Sequence, residues 1–400
     1  MILLRAFGTV WDFVNWVFGT HFLSQPPNMY GTFVAAGFIV GFYIGIIELK
    51  RRESLGILHA QIEKRFIGKI NWTDILTYAA FGFLFGMKGV GIYFEYDKYA
   101  QSPNDYILSS EGSIMGGLIV ALIVGSYNYY LSSKTALAEP KEVEVRILPH
   151  ERMGDILILA LIGGIFGSKL WDIVGNPAGF ASFIANPINS MQSGLSVFGG
   201  LWGAAFLIFL YSRKHKLPMA YVLDSLAPAF FLPYAVGRIG CQMSGDGCWG
   251  IPTTGFTKPS FIPDFLWGQS YAHNVNNDGV LIANCTETFC YELPYTVFPT
   301  PIYEIILVSI LFAILWKLRA RLTKYPLMVF SVFMIMNGIE RFTIEFIRIN
   351  TKFTYFGITL SKHQFIAIIM MSFGAIAIPY ILKKHKEKEK WNASSNSSNA

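Results

Sequence analysis

Long apolar runs separated by short polar stretches, many of them basic, organise this chain. Nine runs have the length of membrane-crossing helices, at residues 31–48, 73–94, 113–132, 155–175, 195–212, 219–237, 301–316, 326–347 and 364–382. The stretches Ser113 to Ser133, Phe183 to Tyr211 and Gln364 to Leu382 hold no charged residue. Other runs are interrupted by Lys88, Lys169, Asp172, Asp224, Arg341 or Glu345. The pattern predicts an all-α polytopic membrane protein of about nine transmembrane helices. A composition of 53% hydrophobic and only 14% charged residues places the chain in the same class, and 16% aromatic residues suit interfacial belts.

The net charge of +6 is not a nucleic-acid signal, because the basic residues are segregated. With the N-terminus outside, the inner loops hold Lys50, Arg51, Arg52, Lys64, Arg65 and Lys69, then Lys134, Lys141, Arg146 and Arg152, then Arg213, Lys214 and Lys216. They continue with Lys317, Arg319, Arg321 and Lys324, and end with Lys383, Lys384, Lys386, Lys388 and Lys390. These are 22 of the 32 Lys and Arg residues, against six in the outer loops. The positive-inside rule therefore predicts N-out and C-in, with a long outer segment at 238–300. Residues 1–30 read as an outer amphipathic segment: the apolar stretch there is broken by Arg5, Asp12 and Asn15 and lacks a small-residue cleavage site. The tail 383–400 turns basic, then Ser/Asn-rich, and is expected to be disordered.

All four cysteines, Cys241, Cys248, Cys285 and Cys290, fall in the outer segment, where two disulfides with three possible connectivities are expected. Free thiols are the alternative. Their spacings, with six and four residues between, are not those of zinc fingers, and His273 stands alone, so no metal is expected.

The chain also repeats itself. Asp74-Ile-Leu and Phe85-Gly86-Met-Lys88 recur as Asp155-Ile-Leu and Phe166-Gly167-Ser-Lys169 at an offset of 81, and Gly116-Gly117-Leu recurs as Gly199-Gly200-Leu at an offset of 83. Each copy is a two-span hairpin of the same orientation, unlike the inverted repeats of many transporters.

The stretch Gly237 to Gly250, GRIGCQMSGDGCWG, sets an arginine, several glycines and an acid where an apolar helix reaches water. A guanidinium there needs a partner or an anionic ligand, and the glycines let backbone amides approach it, so an anionic lipid headgroup is the expected occupant. Asn337, Arg341, Glu345 and Arg348 follow at i, i+4, i+8 and i+11, on one inward helical face, where an Arg341–Glu345 pair could instead serve only to lock two helices. Thr300 and Pro301 read as N-cap and N1 of a helix whose N-terminus points outward.

Taken in order, these motifs resemble the prolipoprotein diacylglyceryl transferase family. The resemblance rests on Tyr30-Gly31 entering the first span, Gly86/Lys88 or Gly167/Lys169, Ser196 to Gly200, Gly237 to Gly250, Pro299 to Glu304, and Arg341 to Arg348. It implies seven family spans plus one duplicated pair. The first hairpin, 73–133, is read as the addition, because the second copy keeps Ser196 before Gly199-Gly200 and runs on to Arg238. That leaves 31–72 as first span and inner loop, and 155–382 as the transferase-like core. The resemblance implies transfer of the sn-1,2-diacylglyceryl group of phosphatidylglycerol to the lipobox cysteine of prolipoprotein signal peptides in the bacterial inner membrane. Glycerol phosphate leaves, a thioether forms, and no cofactor is implied. Arg238, Arg341, Glu345, Asp246 and Tyr30 are the implied catalytic residues. Gly237, Gly240, Gly250, Gly199, Gly200, Ser196, Tyr303 and Glu304 are the implied lipid and substrate contacts.

The chain departs from the family pattern where a thiol-activating histidine is expected, with Phe198 in the second copy and Met115 in the first. Cys241 and Asn337 replace the family's asparagine and tyrosine, and Asp246 stands for a glutamate. His21, His273 and His363 are outer-face candidates for the missing base. Alternatively, the chain is a silent or retasked relative that binds anionic lipid or lipoproteins, or a lipid transporter.

Overall fold

A computed structural model describes residues 5–20, 28–67, 70–101, 106, 109, 111–136, 141–175, 180, 197–285, 287–355 and 357–397. Among these, seven helices are long and apolar enough to cross a membrane. The other two expected spans are helical as Val197–Lys214 and Met328–Ile344. Residues of the chain fall into two compact units, Met1–Leu55 with Leu217–Ala400, and Gly56–Lys216.

The first unit begins with α1 (Val10–Phe18), held by a capping box between Thr9 and Asp12 and ended by Gly19 in the left-handed conformation. Phe7 packs with Met29 and Met243, and Phe13 and Trp16 pack against them, so this amphipathic segment spends its apolar face on the protein. Next comes α2 (Met29–Ser54), capped by the Asn28 side chain.

The second unit holds both hairpins. Strand β1 (Gln61–Ile67) precedes the first, α3 (Trp72–Phe94) and α4 (Ile114–Lys134), and β2 (Lys141–Ile147) precedes the second, α5 (Met153–Gly175) and α6 (Val197–Lys214). The two strands pair antiparallel, Gln61 opposite Ile147, joining two stretches expected only as polar loops. Arg152 and His215 both engage Glu63, with His215 Nδ1 at 2.7 Å. These links group the hairpins with each other, whereas the sequence divided them between an addition, 73–133, and a core, 155–382. The repeated glycines do the same work in each copy. A Cβ on Gly86 would lie 2.6 Å from the Gly116 carbonyl, and one on Gly167 would lie 2.3 Å from that of Gly199. Backbones in contact need residues without side chains there.

Returning to the first unit, α7 (Met219–Leu226) and α8 (Pro228–Ser244) form one span. Gly37 and Gly41 of α2 press against Pro233 of α8. After the outer segment, with the short strands β3 (Val280–Leu281) and β4 (Tyr291–Glu292), come α9 (Thr300–Leu322) and α10 (Met328–Ile344). Between these two helices Leu327 takes a left-handed turn, and the buried Asp224 carboxylate accepts from the Leu327 and Phe330 amides at 2.9 and 2.8 Å. An acid that interrupts an apolar run thus caps a helix from a neighbouring one. A hairpin of β5 (Lys352–Tyr355) and β6 (Ile358–Ser361) leads into α11 (Lys362–Ser397). The helix runs on through most of the tail expected to be disordered; Lys and Glu alternate there at helix-compatible spacing, as in the His385–Glu389 contact of 3.4 Å.

Candidate functional site

The site lies in the first unit, at the outer-segment end of its helices, and Glu304 is its centre. This carboxylate sits one turn into α9 and is 0% exposed. Arg238 Nε of α8 lies 2.5 Å from Glu304 Oε2, and Arg341 Nη1 of α10 lies 3.0 Å from Oε1. Arg348 Nη1, just beyond α10, reaches the same Oε1 at 3.2 Å. The Tyr234 hydroxyl donates to Oε1 at 3.4 Å and accepts from Arg238 Nη2 at 3.1 Å. Three guanidiniums therefore converge on one acid. Their side chains keep 12%, 17% and 10% exposure against none for Glu304, so the guanidiniums, not the acid, are what a second anion could meet.

Local sequence explains the convergence. The helix expected to end at residue 237 continues to Ser244 and is terminated by Gly245 at φ 62°. Arg238 therefore stands on a rigid helical turn, not in a loop. Gly240 lets the start of α2 cross here, since a Cβ would meet Phe33 and the Tyr30 backbone at 2.9 and 3.2 Å. Gly250 pairs with Arg348 in an isolated bridge, and its amide donates to the Phe298 carbonyl at 2.8 Å. A side chain at 250 would strike the Ile347 carbonyl at 2.5 Å, so this glycine lets the extended backbone at Arg348 sit against it. Thr300, expected as an N-cap, is the first residue of α9, and its hydroxyl donates to the Cys248 carbonyl at 2.5 Å. Above the site, Gln242, Gln269 and Tyr271 form a buried hydrogen-bonded set that fastens the outer segment to α8.

The other expected residues divide clearly. Glu345 is buried, with Arg341 Nη2 at 3.8 Å, His363 Nδ1 at 3.3 Å and the Asn350 amide at 2.6 Å. Tyr30 has Cys241, Asp246, Cys248 and Arg238 as its electrostatic neighbours. Gly237 has nothing within 4 Å of where a Cβ would stand, leaving a bare helix surface beside Arg238. Tyr303 turns aside and donates to the Leu266 carbonyl. Gly199 and Gly200 lie in the second unit, at its α5–α6 crossing. Ser196 lies outside the described residues, as do His21 and the side chain of Phe198. His273 contacts Glu287 at 3.2 Å and the Phe289 carbonyl at 2.8 Å. Arg348 and Tyr234 belong to the cluster although the sequence reading gave neither a catalytic or binding role. For Arg348 the signal was its place on the Arg341 face, and for Tyr234 its place one turn before Arg238.

The cysteines do not form two disulfides. Cys285 and Cys290 are bonded, closing a short loop, while Cys241 and Cys248 are free thiols. One ligand atom each from Cys241, Asp246 and Cys248 lie within 4.8 Å of one another, a set that could hold a metal ion. Arg238 Nη1 stands 3.8 Å from the Cys241 sulfur and sets a positive charge beside the three ligand atoms, which opposes a cation there. A hydrogen bond from Cys241 holds the Cys248 thiol below its ordinary pKa, against burial and the Asp246 charge and with help from Arg238 and Arg348. We expect the unreduced, unfolded protein to take up two alkyl groups, at Cys241 and Cys248. Mass analysis finding none would mean a second disulfide.

Known proteins resemble this chain in sequence. The family described as prolipoprotein diacylglyceryl transferase matches residues 127–380. Relatives bearing the name phosphatidylglycerol–prolipoprotein diacylglyceryl transferase include one from Leptospira interrogans, 28% identical over 236 residues, covering 53% of this chain and 66% of that protein. One from Corynebacterium glutamicum is 27% identical over 281 residues, covering 68% and 78%. One from Coxiella burnetii is 29% identical over 245 residues, covering 60% and 81%. The family match takes in more than half of the chain, which belongs to the prolipoprotein diacylglyceryl transferase family.

Proposed function

We propose that this family member transfers the diacylglyceryl group of phosphatidylglycerol to the lipobox cysteine of prolipoproteins, the first step of lipoprotein maturation. The observation that carries the reading is the gathering of Arg238, Arg341 and Arg348 on Glu304. The reaction displaces glycerol phosphate from carbon, so charge grows on the phosphate as the C–O bond breaks. Preorganised guanidiniums aimed at that oxygen stabilise the transition state more than the ground state. Tyr30, Asp246 and the bare surface at Gly237 border the same place and complete a lipid-facing entrance for the headgroup. Glu345 meets Arg341 at Nη2 while Glu304 takes Nη1, so the two acids together orient it.

The charge pattern supports an inner-membrane protein with nine crossings, N-out and C-in, so that the site opens to the periplasm. The family match begins within α4 and takes in the whole second hairpin, which supports reading 73–133 as the addition.

The deciding experiment incubates the purified protein with phosphatidylglycerol and a lipobox peptide, with the peptide mass as readout. The expected result is a diacylglyceryl adduct on the cysteine. Binding of both substrates without an adduct would favour a silent, lipid-binding relative, a reading that the loss of the family histidine at Phe198 makes specific.

A further inference from the structure

Resting on the transferase reading, the inference concerns the group that takes the thiol proton. Thiolate is the nucleophile, so a proton must leave the incoming cysteine. Three buried carboxylates belong to the arginine cluster: Glu304, Glu345 and Glu340. Glu304 gives its oxygens to Arg238, Arg341, Arg348 and Tyr234. Glu345 gives its own to Arg341, His363 and Asn350. Acids committed to cationic donors are poor proton acceptors. Glu340 differs. It is 1% exposed on α10, directly before Arg341, and neither of its oxygens has a hydrogen-bond partner among the described residues. A buried carboxyl without partners is costly and calls for a role.

We infer that Glu340 is the proton acceptor for the substrate thiol in this chain. Its electrostatic surroundings are Glu304 from α9, Arg341 beside it on α10, Arg238 and Tyr234 from α8, and Arg348. From α11 the near titratable group is His363, already engaged with Glu345. On α7, Asp224 is committed to capping the other end of α10. Charge bookkeeping fits the assignment. With Glu340 ionised, three guanidiniums face three carboxylates. In the reaction the S–H proton passes to Glu340, the sulfur pair forms the C–S bond, and the C–O pair leaves on glycerol phosphate. The phosphate gains one negative charge as Glu340 loses one, so the cluster's total charge is unchanged through the step. The proton then follows the product out.

The test compares Glu340→Gln with the wild-type chain, using phosphatidylglycerol vesicles and a lipobox peptide. At pH 7 the turnover of the Gln variant is expected to fall about 100-fold or more, with KM for the lipid unchanged. Its rate should then climb about tenfold per pH unit up to the ordinary thiol pKa of about 8.5, as the peptide ionises unaided, where the wild type is flat. A Gln variant within threefold of wild type, or with the wild-type pH profile, would overturn the assignment. Should the Gln variant not accumulate, Glu340→Asp keeps the carboxylate and is expected to keep the flat profile; a steep one counts against the inference. No adduct from the wild-type chain sinks the transferase reading and this assignment with it. Normal wild-type transfer with an unchanged Gln variant sinks this assignment alone.

Discussion

Replacing Glu304 with alanine is expected to abolish transfer and to cost the protein much of its stability. The carboxylate is fully buried and is the shared partner of Arg238, Arg341 and Arg348. Removing it leaves three guanidiniums crowded together, with Glu345 and Glu340 too few to balance them. Breaking a single buried ion pair costs about 3–5 kcal/mol, because the orphaned charge keeps its desolvation penalty without its attraction. Here one deletion orphans several. The expected readout is an early thermal transition in detergent together with no peptide adduct. Glu304→Gln keeps the volume but not the charge, so it should recover some packing and little activity. A Glu304→Ala protein that melts and transfers like the wild type would mean that the arginines are held by something else.

The second large effect is expected at the arginines themselves, and there activity should fall further than stability. Arg238→Ala and Arg341→Ala each remove a charge-assisted donor from the cluster proposed to meet the phosphate. A loss of about 3 kcal/mol from the transition state corresponds to a drop of two orders of magnitude or more in transfer. Lysine should rescue poorly, since it cannot reach Glu304 and a phosphate oxygen at once through a planar fork. Arg348→Ala is expected to behave alike, because its Nη1 meets the same Glu304 oxygen as Arg341. Near-normal transfer in all three alanine variants would leave them as fasteners between helices. Measuring transfer and thermal transition on the same preparations separates the two cases.

Helix-level features were legible because lipid-facing runs and their basic flanks are local properties. Each run read as a span contains a long helix, with breaks at Ala227 and at Leu327, and the seven that qualify as spans by length and hydropathy are among them. Boundaries were less legible where polar signature residues sit inside a helix. Gly237 to Ser244 looks like the edge of the membrane in composition, yet α8 continues because α2 packs against it through Gly240 and the outer segment covers its end. The strand pairings 61–67 with 141–147 and 352–355 with 358–361 were not read although Val143, Val145 and Ile147 alternate with Glu142, Glu144 and Arg146, because the partner of each ladder is set by the fold and the runs are short beside the apolar spans. The two-disulfide expectation failed for a similar reason: compartment and number suggest pairing, but only the fold brings Cys285 to Cys290 and leaves Cys241 against Arg238.

What the sequence by itself determined is the class, the family and the identity of the charged residues that a membrane would not tolerate unpaired. Hydropathy, the order of motifs and the cost of a lone guanidinium in lipid are all readable from one chain. The tertiary structure alone decided which acid those arginines share. In the sequence Glu304 was marked only as an implied substrate contact, because its arginine partners lie 66, 37 and 44 positions away on other elements. It also decided that Glu340, with no motif to mark it, is the buried acid with neither oxygen hydrogen-bonded among the described residues. Burial and the commitment of lone pairs are set by packing between helices, and no local pattern encodes them.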